Sequence, residues 1–448
     1  MTKLFGTDGI RGKANRFPMD ADTAMTVGRA VARLFFQPGR GRILIGKDSR
    51  LSSDMLESAL AAGIASMGAD ALLAGMLPTP AIAFAARAAG ADAGIVVSAS
   101  HNPYWDNGIK IFSGQGFKLT DAQEADIEAL VQKQDLSEFL APSEKIGRIY
   151  SLESAGQEYL DFLSTVWPDN LSMRRMKIAM DTSNGAASVL APEIFARFGA
   201  QVEVIHNQPD GFNINDQCGS QHTAGLQELT VKCGADLGLA FDGDADRLIA
   251  VDETGKRLSG DQILLICAIM LKNLGKLQND CLVTTVMSNL GLRLACRKHG
   301  LRHHASEVGD RHVLEDMQRL GAVIGGEESG HIIFLDHHST GDGILAGMQL
   351  IAAMLRSGRP LSALSRLMDV YPQKLVNVPV SRKPDIFSVP RIAAVIRDIE
   401  TGLGENGRVL VRYSGTENLC RVMVEAQSAE LAETGCNRIA EVVRSILN

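Results

Sequence analysis

The sequence predicts an α/β protein: three related α/β domains with mixed, mostly parallel sheets, followed by a smaller C-terminal α+β domain. Three observations lead there. Short buried-strand patterns alternate with helical ones along most of the chain. A strand, a polar turn and a helix start recur together three times, at Ile43–Arg50, Ile178–Gly185 and Leu282–Leu290. The end of the chain changes character, because Val409–Arg412, a Ser-Gly-Thr turn and Arg421–Glu425 alternate in polarity as paired strands do.

Each element has its own signal. Ile43–Gly46 reads as a buried strand running into the polar turn Lys47-Asp48-Ser49-Arg50. Leu56, Leu60, Ile64 and Met67 then recur at helical spacing until Gly68 stops the helix. Gly94–Val97 is a further buried strand, and Thr120-Asp121-Ala122-Gln123 has capping-box spacing ahead of Ile127, Leu130 and Val131. Ile178–Asp181 and Leu282–Val286 restate the first strand. The smaller domain is expected from about residue 368, with Pro372 and Pro379 near its start and a closing helix after Ala429.

A chain of 448 residues has room for several cores. Its net charge of −7, with both signs interspersed, argues against nucleic acid or an anionic membrane as partner. The longest charge-free apolar runs, Ile263–Leu271 and Ile344–Leu355, are too short to span a bilayer. Met1–Gly6 carries no apolar signal core, so a cytoplasmic protein is expected. The seven cysteines form no C-x-x-C pair and read as buried thiols in a reducing compartment.

Chemistry concentrates in a few loops. Asp242, Asp244 and Asp246 alternate with small residues just after the apolar run Leu237–Ala240. Three carboxylates so close repel one another unless a cation compensates them, and oxygen ligands suit Mg²⁺ or Ca²⁺. A calcium-sensor loop fails, since Arg247 stands where that loop needs glycine. An aspartyl phosphatase with Asp242 as nucleophile survives on this motif alone. Ser98–Pro103 (Ser-Ala-Ser-His-Asn-Pro) follows strand Gly94–Val97 and offers a serine beside a histidine, a pattern that a plain capping turn also explains. Ser414-Gly415-Thr416 between Arg412 and Arg421 suits phosphate, through exposed backbone N–H groups and two guanidiniums. Gly325–His331 is a glycine-rich loop suited to sugar hydroxyls, and Phe5–Gly12 has the same small, polar and basic character. His206, His299 and His337 stand apart from these groups and read as structural or surface residues.

In order along the chain, F-G-T-D-G-I-R-G, S-A-S-H-N-P, D-G-D-A-D-R, G-E-x-S-G-H and R-x-S-G-T-E resemble the α-D-phosphohexomutase superfamily. The resemblance covers the whole chain and implies four domains around a central cleft: 1–150 with a phosphoserine loop, 151–252 with a metal loop, 253–367 with a sugar loop and 368–448 with a phosphate loop. It is nearest to the bacterial amino-sugar branch, which feeds UDP-N-acetylglucosamine, through Thr285–Gly291, Gly326–His331 and Ser339–Gly343. It implies that Ser100 is phosphorylated and that one Mg²⁺ per chain is held by Asp242, Asp244, Asp246 and a phosphoryl oxygen on Ser100. Arg11, His101, Lys110 and Arg247 would line that centre, with Lys110 and His331 handling protons. Glu327 and Ser329 would grip the sugar, and Arg412, Ser414, Gly415, Thr416 and Arg421 would hold the phosphate that is not reacting. A phosphosugar substrate, activation by glucose or glucosamine 1,6-bisphosphate and room for a homodimer complete the implication. Two departures bear on substrate preference: Asn418 stands where many relatives have proline, and Glu328 where many have glutamine.

Overall fold

The computed structural model describes residues 4–6, 8–35, 41–133, 136–414 and 418–448. They form two compact units, one of residues 1–287 and 301–367, the other of residues 288–300 and 368–448.

The first unit holds three sheets that repeat one plan. In the first, strands Arg42–Lys47, Asp70–Met76 and Ala93–Val97 are parallel, and Ala93–Val97 then turns back into the antiparallel strand Asp106–Ser113. In the second, Lys177–Asp181, Gln201–Ile205 and Leu237–Phe241 are parallel, and Leu237–Phe241 turns back into Leu248–Asp252. In the third, Cys281–Thr285, Arg302–Ser306 and Ile324–Gly326 are parallel, and Ile324–Gly326 turns back into Ile332–Phe334. In each the first strand lies between the second and third, so the three sheets share one strand order. The three recurring starts in the sequence are the first strands of these repeats.

Apolar runs explain why these strands lie inside. Ala93–Val97 and Leu237–Phe241 are buried at every position, as strands with both faces covered should be. The helix Ser53–Ser66 ends where the spacing places it, and Gly68 follows at φ +89°. The capping box is present, with Thr120 Oγ1 accepting the Gln123 N–H and Gln123 Oε1 accepting the Thr120 N–H. The first sheet also takes up Gly9–Lys13, antiparallel to Asp106–Ser113, which carries Arg11 to the mouth of the Ser98–Asp106 loop.

The second unit is an antiparallel sheet of Gln373–Pro379, Leu419–Glu425 and Arg408–Tyr413, backed by helices Pro390–Leu403 and Ala429–Leu447. The expected strand pair is there, with a third strand beside it. Helix Leu290–Lys298 packs with this unit. The reason is local: the buried Glu425 carboxylate accepts from the Leu290 N–H and from Asn289 Nδ2, each at 3.1 Å, and so caps that helix. Among the described residues no helix is long and apolar enough to cross a membrane.

Candidate active site

The three sheets of the first unit present their chemistry at one equivalent place, the loop where the third strand reverses into its antiparallel partner. These loops are 98–105, 242–247 and 327–331, bearing Ser100, the three aspartates and the Glu327–His331 group.

The Ser100 loop is held in an unusual shape. Ser100 itself has φ +52°, a left-handed conformation that a serine adopts only when its surroundings enforce it. Arg50, fully buried, enforces it. Its guanidinium donates to the carbonyls of Ser100 (2.8 Å), Asn102 (2.8 Å), Asp106 (3.0 Å) and Pro103, and Nε pairs with Asp48 at 2.8 Å. Asp48 also accepts from Ser98 Oγ at 2.6 Å, and Ser98 Oγ in turn accepts the Ser100 N–H. This clamp turns Ser100 Oγ toward the aspartates, where it donates to Asp242 Oδ2 at 2.6 Å and stands 3.3 Å from His101 Nδ1.

Asp242, Asp244 and Asp246 are all buried, and one oxygen of each lies within 4.8 Å of the other two. Gly243 lets their loop pass Ser100 closely, since a Cβ there would stand 2.6 Å from the Ser100 carbonyl oxygen. Asp244 Oδ2 accepts from Thr79 Oγ1 at 2.6 Å and from Lys110 Nζ at 2.8 Å, and Lys110 also reaches Asp246 at 3.2 Å. Asp244 Oδ1 and Asp246 Oδ1 are buried with no hydrogen-bond partner in the structure. Buried carboxylate oxygens without hydrogen-bond donors, in so tight a cluster, suit a hard divalent cation. Burial, together with the charges of Asp246 and Asp244, pushes the Asp242 carboxyl well above the usual range. Burial works against the charged forms of Asp246 and Lys110 too, but their mutual attraction wins; the Asp246 carboxyl falls well below the usual range and the Lys110 ammonium rises well above its own.

The remaining basic groups close around this centre. Arg247 Nη1 lies 3.2 Å from His101 Nδ1, and burial with the nearby Arg247 and Arg11 charges lowers His101 to about 4, leaving it neutral. Arg11 pairs with Asp8 and donates to the Ala99 carbonyl at 3.4 Å. His331 has Nδ1 3.6 Å from Asp246 and Nε2 3.5 Å from Asp310. Although burial opposes it, the hydrogen bond and charge of Asp246 raise its pKa.

In the third loop, Glu327 Oε1 accepts the Gly309 N–H at 3.2 Å, and the buried Ser329 hydroxyl has no partner in the structure. Gly309 adopts φ +126°, which only glycine accommodates readily, and this aims its N–H at Glu327. The next residue, Asp310, pairs with Lys118, whose Nζ also donates to Asp8 at 2.5 Å.

The structure therefore brings together Ser100, His101, Asp242, Asp244, Asp246, Arg247, Lys110, Arg11 and His331, with Glu327 and Ser329 on the adjoining loop. Sequence reasoning missed Asp8, Asp48, Arg50, Thr79, Lys118 and Asp310. Two signals among them were visible: Asp8 sits in the Phe5–Gly12 motif, and Asp48 and Arg50 sit in the Lys47–Arg50 turn, which reads as a turn like any other. In the second unit, Arg412 and Arg421 face each other as a directly opposed pair on neighbouring antiparallel strands. Burial and the Arg421 charge lower the Arg412 pKa. Ser414 is buried and its carbonyl accepts from Lys383 Nζ at 3.0 Å. Gly415 and Thr416, like Thr7 of the N-terminal motif, lie outside the described residues.

Known proteins share this layout. Models of the phosphoglucomutase/phosphomannomutase alpha/beta/alpha domains I, II and III match residues 2–138, 157–255 and 259–371, and that of the C-terminal domain matches 375–442. The chain is 59% identical to the phosphoglucosamine mutase of Syntrophobacter fumaroxidans and 51% identical to that of Syntrophus aciditrophicus, in both cases over 100% of each chain. A phosphoglucomutase/phosphomannomutase family protein from Burkholderia thailandensis has the same fold, with a TM-score of 0.80 at 24% identity over 100% of this chain and 98% of that one. A serine poised on an aspartate triad, in a chain matched along its length by all four domain models and by such relatives, is that of a sugar-phosphate isomerase: the chain belongs to the phosphoglucomutase/phosphomannomutase family, in its phosphoglucosamine mutase branch.

Proposed function

We propose that the chain interconverts glucosamine 6-phosphate and glucosamine 1-phosphate by passing a phosphoryl group through Ser100. The observation that carries this reading is the 2.6 Å contact of Ser100 Oγ with Asp242, inside a carboxylate cluster with unsatisfied oxygens.

Asp242, Asp244 and Asp246 would hold one Mg²⁺, with a phosphoryl oxygen on Ser100 as a further ligand. When bound, the ion supplies charge withdrawal from the transferring group. The residues do the rest. Phosphorylated Ser100 gives its group to one sugar hydroxyl: the seryl P–O bond breaks, a sugar P–O bond forms, the hydroxyl proton ends on the freed Ser100 Oγ, and a 1,6-bisphosphate results. The bisphosphate reorients, and its other phosphate returns to Ser100 Oγ as the P–O bond to the sugar breaks. The serine proton then leaves by way of the neutral His101 Nδ1 beside it, and the released sugar oxygen takes up a proton in its place. Lys110, held by Asp244 and Asp246, is placed to serve as counter-charge and in proton handling. Arg11 and Arg247 flank the moving phosphate, and His331, shared between Asp246 and Asp310, is placed to donate.

Glu327 and Ser329 would grip ring hydroxyls, and Arg412, Ser414, Gly415, Thr416 and Arg421 the non-reacting phosphate. The opposed arginines support that last assignment, because two guanidiniums on directly paired residues can hold one phosphate together. We further read residues 1–150, 151–252, 253–367 and 368–448 as four functional domains, working in the cytoplasm with bisphosphate as activator and with room for a homodimer.

The test is intact mass and peptide mapping of freshly purified protein, with kcat/KM for the 1-phosphates of glucosamine, glucose and mannose. Phosphate on Ser100 and preference for the amino sugar support the reading. Phosphate on Asp242 establishes a phosphatase instead, and preference for glucose or mannose a sister mutase.

A further inference from the structure

We propose that Asp181, His206 and Cys218 form a second metal site, separate from the aspartate triad, that takes a borderline-soft divalent cation of the Zn²⁺ class. Asp181 closes strand Lys177–Asp181, His206 follows strand Gln201–Ile205 directly, and Cys218 ends the loop before the turn Gly219–Gln221. The two strands are parallel neighbours, so both donors leave the carboxyl edge of the sheet, where open α/β sheets receive ligands.

A carboxylate oxygen, an imidazole nitrogen and the thiol sulfur lie within 4.8 Å of one another. Metal–ligand bonds of about 2.0–2.3 Å demand a slightly tighter group than that, so a small inward movement completes three corners of a tetrahedron, with water as the fourth. The carboxylate is already fixed in place. Asp181 Oδ2 accepts from Gly219 N–H at 2.9 Å and lies 3.0 Å from His206 Nδ1, while Oδ1 accepts from Ser183 N–H at 2.9 Å. The His206 side chain is 36% exposed and provides the entry, whereas Cys218 is buried.

Binding is linked to proton release. Burial, then the charges of Asp181 and Asp216, push the Cys218 thiol up to about 12, and the hydrogen bond of the His206 imidazole to Asp181 raises His206. Without a metal the pocket thus holds its protons tightly. Binding replaces them: the S–H bond breaks as the sulfur–metal bond forms, its proton goes to solvent, and the imidazole proton moves from Nδ1 to Nε2. Donor chemistry then separates the two sites, since the all-oxygen triad suits Mg²⁺ and a nitrogen–sulfur set suits zinc-class ions. They are close neighbours, because the loop after Asp181 leans on the triad loop through Ser183 Oγ to the Phe241 carbonyl and Ala186 N–H to the Gly243 carbonyl, the latter at 2.8 Å.

The experiment is a titration of the full chain with Co²⁺ in excess Mg²⁺, which keeps the triad filled. A near-ultraviolet sulfur-to-cobalt charge-transfer band is expected, accompanied by proton release and displaced by Zn²⁺. Cys218→Ser should abolish the band while leaving turnover in Mg²⁺ unchanged. His206→Gln should weaken Co²⁺ affinity by at least about tenfold, the smallest loss typical even of outer partners of metal ligands. His206 is partly exposed, so this variant carries the test alone if Cys218→Ser does not fold. Asp244→Asn should keep the band. Absence of the band from the unaltered protein, its survival in Cys218→Ser, unchanged affinity in His206→Gln or its loss in Asp244→Asn overturns the proposal.

Discussion

Arg50 Nη2 lies 2.8 Å from the carbonyl oxygen of Ser100, so one buried guanidinium sets the backbone of the proposed phosphoryl carrier. The same side chain gathers three further carbonyls of the loop and pairs with Asp48. Arg50→Lys keeps the charge but loses the fork, and no ammonium can serve all of these acceptors. Each lost charged hydrogen bond is worth about 1.5–3 kcal/mol, so a fall in kcat of about a hundredfold is expected, with less Ser100 phosphate as isolated. Arg50→Ala also strands a buried Asp48 charge and should cost about 3–5 kcal/mol of stability. Steady-state kinetics and thermal melts of both variants check this; a fully active Arg50→Lys enzyme sinks it.

Asp244→Asn removes one charge from the triad and leaves Thr79 and Lys110 facing an amide. Turnover should fall by several kcal/mol of transition-state stabilisation, with the fold intact. A Mg²⁺ titration of activity is the measurement, and unchanged turnover and Mg²⁺ dependence would remove the metal assignment.

Arg412→Ala and Arg421→Ala each delete one guanidinium of an opposed pair. A loss of about ten- to a hundredfold in kcat/KM is expected, while phosphorylated Ser100 stays detectable. Escape of the bisphosphate should increase, so activity should lean harder on added glucose 1,6-bisphosphate. Kinetics with and without that additive decide the matter; variants that match the parent under both conditions make the loop a simple turn.

Asp342, at the start of the helix that abuts the triad loop, gives a pH prediction. It caps helix Gly343–Ser357 through the Leu345 N–H at 2.9 Å, and it accepts from Tyr159 OH at 2.7 Å. Burial raises its carboxyl to about 6 in spite of these hydrogen bonds. The folded state therefore binds a proton that the unfolded chain, with a pKa of about 4, releases earlier. This contribution to stability is complete below about pH 4 and is lost as pH rises through about 6. Asp342→Asn keeps a capping acceptor and has no charge to bury, so its stability relative to the parent should improve from pH 4.5 to pH 8, by on the order of 2 kcal/mol. Melting temperatures of both proteins at the two pH values test the sign; a variant-minus-parent difference that falls or stays constant from pH 4.5 to pH 8 refutes it.

Much of this was legible in the sequence because it is local. The first strands of the three repeats are short apolar runs before polar turns, and the triad and the Ser98–Pro103 loop are contiguous. What stayed hidden depends on pairing across the chain. Thr79 meets Asp244 across 165 residues and Lys118 meets Asp310 across 192, and no spacing rule connects them. Lys110 lies outside the contiguous motifs, and the carboxylates that raise its pKa, Asp244, Asp246 and Asp8, come from loops far along the chain. The left-handed backbone at Ser100 carries no composition signal, since serine rarely adopts it without an enforcing neighbour such as Arg50. The equivalence of the three loops is visible only once the strand order is known.

That equivalence bears on which lengths of chain can vary. Each active loop joins two strands locked in one antiparallel ladder, as Phe241 opposite Leu248 and Ala240 opposite Ile249 show for the triad loop. One residue inserted between Asp246 and Arg247 must either distort the metal loop or slip the ladder, and a one-step slip turns every side chain of the returning strand to the other face. The helical crossovers between parallel strands carry no such constraint, so length variation among related chains should collect there. Three copies of one hairpin can thus carry different side chains at their tips, Ser100 on one, the three aspartates on another and Glu327 with Ser329 on the third, while the ladders hold each to a fixed length.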